Sequence, residues 1–476
     1  MSGDLYRLAM TVLHPGFEGT SAPDWLRRAL GEGLGGVVLF ARNAIGEGLV
    51  RDFRAENPDT VVAIDEEGGT VTRLEVMAGS SFPGNRALGV VDDVELTERV
   101  GRQIGRMLAE IDITLDYAPS ADVNSNPANP VIGVRSFGPT PELVSRHTVA
   151  YVNGVQGAGV AACAKHFPGH GDTVTDSHLA LPTVHAAREV LIERDLPPFQ
   201  AAIDAGVRSI MSGHLLIPAL DPSAPATLSR TVMTELLRGE LGFDGMLVTD
   251  AIEMRAVAAM FAPGEIAVRA LNAGVDAICV GLSTEDSLRE IRDAIVAAVR
   301  NGTLPEERLA EAAARVRALS TWYAAQASLR AKVRDDIDES AGLRAARAAL
   351  TTSGTAALDR GPLVVEVNTR FNKAVDPATP TGITSALASM LPNTERVQME
   401  PEGELPAFDE RPVVLVVHDA ARHPWVRDTM AKALALRPDV IIVDTGIPAP
   451  PEGAIHVATH GISRVSALAA AEWLLR

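Results

Sequence analysis

Cysteine is nearly absent: the 476 residues include two, Cys163 and Cys279. Both lie in apolar, strand-like runs, so a disulfide framework is excluded and buried free thiols are expected. Blocks of basic residues are missing as well, and the formal net charge is -18. That balance argues against a nucleic-acid partner; an anionic surface favours solubility and says little about substrate. No apolar run reaches the length of a membrane span. The first residues, MSGDLYRLAM, show no basic segment followed by an apolar stretch and a small-residue cleavage site. These absences predict a cytoplasmic protein with no membrane partner. Short repeats and low-complexity tracts are also lacking.

What remains is an ordinary soluble composition, 46% hydrophobic and 22% charged. The length is too great for one core, so two domains are expected. Short apolar runs alternate with longer amphipathic ones from the start. Candidate strands cover residues 8–13, 36–40, 61–64, 113–118, 160–164, 207–211, 246–248 and 275–280. Helical segments at 96–109, 141–154 and 265–273 lie between them. Continuous apolar strands joined by helices are the pattern of a buried parallel sheet. Eight such units fit an α/β fold of the (β/α)8 barrel type, with a doubly wound open sheet as the alternative. Helices at 285–299 and 305–325 follow, and a charged, Ala-rich segment at 331–349 reads as one connecting helix. Strand-like runs at 363–367, 413–417, 440–443 and 456–459, then a helix at 463–475, predict a smaller α/β sandwich-like domain. The predicted division is a catalytic barrel at 1–330, a linker at 331–350 and a C-terminal domain at 351–476.

The densest chemistry is in KHFPGHGDTVTDSH, residues 165–178. It combines one Lys, three His and two Asp, interrupted by Pro168, Gly169 and Gly171. Proline removes a donor and glycine costs backbone entropy, so this stretch is not a helix interior. It reads as a loop released from a buried strand, the usual way an α/β enzyme presents reactive groups. Other strand ends add Asp65, Asp122, His214 and Asp250. Each alone has a structural explanation; Asp250, which precedes a helical segment, could be a helix cap.

Three kinds of chemistry suit this rim. Glycoside cleavage needs a nucleophilic carboxylate and a proton donor. Asp250 would attack the anomeric carbon. Asp176 and His178, two residues apart in an extended loop, face the same way, and a carboxylate beside an imidazole orients it for proton transfer. Metal-assisted hydrolysis would use His166, His170 and His178, but the spacing is not that of a helical zinc motif and Lys165 opposes a cation. In the third reading the loop is a structural latch. Six titratable groups in fourteen residues argue against that for the loop as a whole, although His170 in particular can be structural.

The run KHFPGHGDTVTDSHLALP resembles the signature of glycoside hydrolase family 3, in its β-N-acetylhexosaminidase branch. AIDEEGGTVTRL, VIGVRSFG, GFDGMLVTDAIEM and NAGVDAICVG extend the resemblance in matching order over most of residues 1–325. It implies a retaining barrel enzyme with Asp250 as nucleophile and His178, held by Asp176, as acid/base. It also implies that Asp65, Arg73, Arg135, Lys165 and His166 grip a terminal N-acetylglucosamine. From the residues alone, Arg73 and Arg135 have a lesser reading as salt-bridge partners of a rim carboxylate. Neighbouring Lys165 and His166 would point to opposite sides of a regular strand. Thr70 stands where the family commonly has Arg, and Ala251 where a second Asp is common; neither removes a catalytic group.

The function expected is that of an exo-β-N-acetylglucosaminidase working through a covalent glycosyl-enzyme intermediate, without metal or organic cofactor. Peptidoglycan-derived fragments are the substrate the resemblance suggests. The alternatives are a broader β-glucosidase or β-hexosaminidase, a phosphate-using β-GlcNAc phosphorylase, and a catalytically silent sugar-binding sensor.

Overall fold

The computed structural model describes residues 2–43, 45–355, 358–368 and 373–476, with only the backbone at residues 2 and 3. Within the first two thirds of the chain lie β1 (Leu13–Pro15), β2 (Gly36–Leu39), β3 (Val61–Ile64) and β4 (Leu115–Asp116). They are followed by β5 (Ala161–Phe167), β6 (Ser209–Ser212), β7 (Met246–Thr249) and β8 (Ile278–Val280). Strands β2 to β7 form one sheet in sequence order with every pairing parallel. The result is an α/β fold with a parallel half-barrel. Strands β1 and β8 pair in parallel beside it, and a single parallel bridge joins Val248 to Ala277.

These strands are buried along their whole length, and alternation sorts their side chains between two cores. Val37, Leu39, Val62 and Ile64 pack outward with the surrounding helices. Val38, Val61, Ala63, Leu115, Cys163, Met246 and Cys279 pack inward together. Val316 and Leu319, from the helix Glu306–Ala325, join this inner cluster. Both cysteines are buried free thiols, as expected. Burial pushes the Cys163 thiol up to about 12.

The helices begin and end where local chemistry allows. Asp93 caps Val94–Glu110 by accepting the N–H of Leu96 at 3.0 Å. Thr284 and Ser287 form a reciprocal cap on Glu285–Arg300. Gly274, at φ 119°, ends Pro263–Ala273 in a left-handed turn.

The remaining strands are β9 (Thr351–Ser353), β10 (Leu363–Val367), β11 (Glu395–Met399), β12 (Val413–Val417), β13 (Ile441–Asp444) and β14 (Ile455–Ala458). They make a second sheet of order β11-β10-β12-β13-β14-β9, parallel except for β9. The two parts of the chain touch near the half-barrel's carboxyl rim. Arg464 reaches Glu75 at 3.2 Å, and Arg73 donates to the Ala374 carbonyl at 3.0 Å.

Three expectations change. The apolar residues at 8–13 are not one strand: Ser2–Thr11 is a helix, and the strand begins at Leu13. Leu5, Leu8 and Ala9 recur at helical spacing on the side packed against the core, and this period outweighs the local apolar run. Residues 331–349 do not form one helix. The helix Ala327–Val333 stops and Ala341–Ala349 starts afresh after an Asp-rich break. Strands β9 and β11 escape the sequence pattern because they are sheet edges with mostly exposed or half-buried residues.

Candidate active site

At the carboxyl ends of the half-barrel strands lies a cavity of about 470 Å³. Seven of the eight residues to which the resemblance gives a role line it: Asp65, Arg73, Arg135, Lys165, His166, His178 and Asp250. The eighth, Asp176, stands behind His178 and bonds its Nδ1 at 2.8 Å.

Lys165 and His166 both reach the cavity although they are neighbours within β5. The pairing of β5 with β6 slips between Lys165 and Phe167, which breaks the strict alternation of a regular strand. Lys165 Nζ donates to Asp65 Oδ1 and lies equally close to Glu67 Oε1, each at 2.7 Å. Burial alone would favour a neutral amine; the two carboxylates outweigh it and hold the ammonium form. Glu67 also takes a two-pronged contact from Arg135, through Nε at 3.0 Å and Nη2 at 2.7 Å. Burial works against the Glu67 carboxylate, but these two cations keep it ionised. Arg73 approaches Asp65 at 3.9 Å. Both arginines are therefore partners of rim carboxylates and at the same time walls of the cavity.

His166 Nδ1 bonds Asp122 Oδ2 at 2.7 Å. The other oxygen of Asp122 accepts the backbone N–H groups of His166 at 3.2 Å and His170 at 2.6 Å. Three contacts to one buried carboxylate fix the base of the loop. Gly171 is required there: a Cβ would lie 1.8 Å from the Val123 carbonyl. Gly169, at φ 126°, supplies the turn just before it.

Asp250 follows β7 directly, and its Oδ1 accepts the N–H of the next residue, Ala251, at 2.8 Å. It does not cap a helix, since the next one, Arg255–Ala258, starts after Met254. Burial raises the cost of its charge, but the imidazoles of His166, His214 and His178 hold the carboxyl below its ordinary range. His214 is buried, with Nε2 3.1 Å from the Ala251 carbonyl and Nδ1 2.9 Å from Thr227 Oγ1. Asp176 likewise overcomes its partial burial through bonds from the ring and N–H of His178, and its carboxyl is lowered.

The Nδ1 atoms of His166, His170 and His178 face separate partners, Asp122, Thr173 and Asp176. Among the described residues, no group of three or more His, Cys, Asp or Glu side chains is arranged to hold a metal ion. Sequence reasoning missed Glu67, which bridges Lys165 and Arg135. The acidic triplet Asp65–Glu66–Glu67 after a strand was its available signal. It also missed the wall made by Lys373, Ala374, Val375, Asp376 and Pro377, which arrives from beyond β10.

The family description "Glycosyl hydrolase family 3 N terminal domain" matches residues 26–319. This chain belongs to glycosyl hydrolase family 3. It is 36% identical over 357 residues to Beta-hexosaminidase A of Pseudoalteromonas piscicida, covering 67% of this chain and 57% of that protein. It is also 36% identical over 261 residues to Beta-hexosaminidase LpqI of Mycobacterium tuberculosis, covering 54% of this chain and 66% of the relative. The chain thus spans less than two thirds of the length of either relative. Among solved structures, a family 3 beta-N-acetylglucosaminidase from Paenibacillus sp. str. FPU-7 superimposes with a TM-score of 0.86 at 34% identity. That match covers 99% of this chain and 96% of the other.

Proposed function

We propose that this protein is a retaining exo-β-N-acetylglucosaminidase that removes terminal, non-reducing β-GlcNAc, with peptidoglycan-derived fragments as substrate and the cytoplasm as its location. The observation that carries this reading is the pairing of a half-buried, ionised Asp250 with a His178–Asp176 dyad at one cavity.

The first step breaks the glycosidic bond. The Asp250 carboxylate attacks the anomeric carbon while His178 donates a proton to the departing oxygen, leaving a glycosyl ester and a neutral imidazole. In the second step His178 takes a proton from water as the oxygen attacks the same carbon, and Asp250 leaves as carboxylate. Two inversions give net retention. Asp176 keeps the ring oriented and stabilises the imidazolium form. Asp65, Lys165, Arg73, Arg135 and His166 hold the sugar, with Glu67 keeping the Lys165 and Arg135 side chains in place between substrates. Both cations are already neutralised by carboxylates, so the sugar meets oriented donors rather than free charge.

The framework we propose for this chemistry is a closed (β/α)8 barrel at residues 1–330, a linker at 331–350 and an α/β domain at 351–476. The β1–β8 pair, the Val248–Ala277 bridge and the shared inner core of Val38 and Cys279 support closure. The wall at Lys373–Pro377 gives the C-terminal domain a share in the cavity.

The test is Asp250→Asn together with a 2-fluoro sugar inactivator. The variant is expected to fold and to lose at least about 1,000-fold in turnover, since it removes the covalent route. The inactivator is expected to label Asp250 in the native enzyme. Activity within about tenfold of native, or label on another residue, refutes the assignment.

A further inference from the structure

The loop carrying the dyad has an exposed tip and a buried root. Val174 is 67% exposed, whereas His170, Thr173 and Ser177 are at most 2% exposed. The His170 ring lies between the other two: Nδ1 is 2.8 Å from Thr173 Oγ1, and Nε2 is 3.2 Å from Ser177 Oγ. Thr173 and Ser177 flank the segment 174–176, and Ser177 is the residue between Asp176 and His178. One imidazole therefore closes the loop like a strap.

The hydrogen bonds are complete for a neutral ring. Asn129 Nδ2 donates to Thr173 Oγ1 at 3.3 Å and to the His170 carbonyl at 2.8 Å. Thr173 donates to the His170 carbonyl at 3.2 Å. Its hydroxyl proton is then committed, so the ring places its own proton on Nδ1 and accepts from Ser177 at Nε2. The strap is also tied to the rest of the site. The His170 N–H donates to Asp122, the partner of His166, and the Ser177 carbonyl accepts the N–H of Ala256 at 3.3 Å, six residues beyond Asp250.

We propose that His170 is a positioning residue for proton transfer: by tying Thr173 to Ser177 it holds Asp176 and His178 at the cavity. This rests on the acid/base reading of His178 above. A residue that only supports the fold would affect all substrates alike. A residue that places the acid affects those whose leaving group needs a proton.

The experiment compares His170→Asn and Ser177→Ala with native enzyme on an alkyl β-GlcNAc and on a dinitrophenyl β-GlcNAc, using His178→Ala as the reference. His170→Asn is expected to lose about 100-fold in kcat/KM on the alkyl glycoside and less than about 10-fold on the dinitrophenyl glycoside. Ser177→Ala keeps the ring and is expected to show the same split at smaller size. Labelling of Asp250 by an activated 2-fluoro sugar should proceed at the native rate in both. Equal losses on the two substrates, no loss on either, or failure of both variants to fold overturns the proposal. If His178→Ala itself shows no split, the acid/base reading fails; if it does and the two strap variants do not, only the role of His170 fails.

Discussion

Glu66 offers a way to test the electrostatics of the site without touching its reacting groups. The side chain is 1% exposed. Its Oε2 accepts the backbone N–H groups of Arg73 at 2.8 Å and Leu74 at 3.0 Å, and the whole carboxyl is buried. Burial dominates, and the carboxyl is pushed up from 4.5 to about 7. The folded protein therefore keeps this proton over a range in which the unfolded chain has released it. With more protons bound to the folded state, stability falls as pH rises from about 4.5 to about 7 and then levels off. The difference of roughly 2.5 pH units, at about 1.36 kcal/mol each, gives a cost of about 3 kcal/mol above pH 8. Glu66→Gln keeps the acceptor for Arg73 and Leu74 and removes the titration. In urea denaturation at matched ionic strength, the variant is expected to match native protein within about 0.5 kcal/mol at pH 4.5 and to exceed it by about 3 kcal/mol at pH 8. Its KM for an aryl β-GlcNAc should not change, because the backbone at Arg73 stays anchored. A stability difference that does not vary between pH 4.5 and pH 8, or one of opposite sign, would refute the reasoning.

Two further outcomes test the chemistry directly. His178→Ala is expected to slow cleavage of natural disaccharides by at least about 100-fold but a nitrophenyl glycoside far less, with Asp176→Ala giving a milder version; steady-state kinetics on both substrates decides, and equal damage leaves His178 with a binding role only. In the proposed mechanism His178, once it has given up its proton, carries no charge, unlike a carboxylate acid/base, so an anionic acceptor meets less repulsion. Phosphate at millimolar levels is expected to compete with water and yield some GlcNAc-1-phosphate of retained configuration, seen by NMR at fixed ionic strength; no sugar phosphate and no rate change makes the enzyme a strict hydrolase.

The sequence was most informative where a local pattern and its consequence coincide. Buried parallel strands read as apolar runs, so β2, β3, β7 and β10 were legible almost to the residue. Asp250 and the 165–178 loop were legible because chemistry-bearing side chains follow strand ends. Edge strands β9 and β11 were not, since half-exposed residues carry no such signature. Long-range partners were also hidden. Glu67 meets Arg135 across 68 positions and Asp122 meets His166 across 44, and only the fold brings them together. The paradox of adjacent Lys165 and His166 likewise needed the slip in β5 pairing, which no periodicity predicts. The sequence reading that His170 can be structural takes physical form in its bonds to Thr173 and Ser177.

The charge arrangement supports the proposed mechanism, in which an imidazole acts where most retaining glycosidases use a second carboxylate. Lys165 and Arg135 are neutralised by Asp65 and Glu67 before any substrate arrives. The carboxyl of Asp250 is lowered chiefly by the imidazoles of His166, His214 and His178 around it. Of these, His166 leans on Asp122 and His214 on Thr227 and the Ala251 carbonyl, which fixes their rings. His178 is the most exposed of the three, and its partner Asp176 belongs to the same short loop. In the proposed mechanism its proton can be exchanged apart from the Lys165, Glu67 and Arg135 contacts, with Asp176 bonded to the ring at 2.8 Å. A carboxylate in the same place would set two anions against each other once both were ionised, raising one of their pKa values. The dyad avoids that conflict because its mobile proton sits on a group that is positive or neutral.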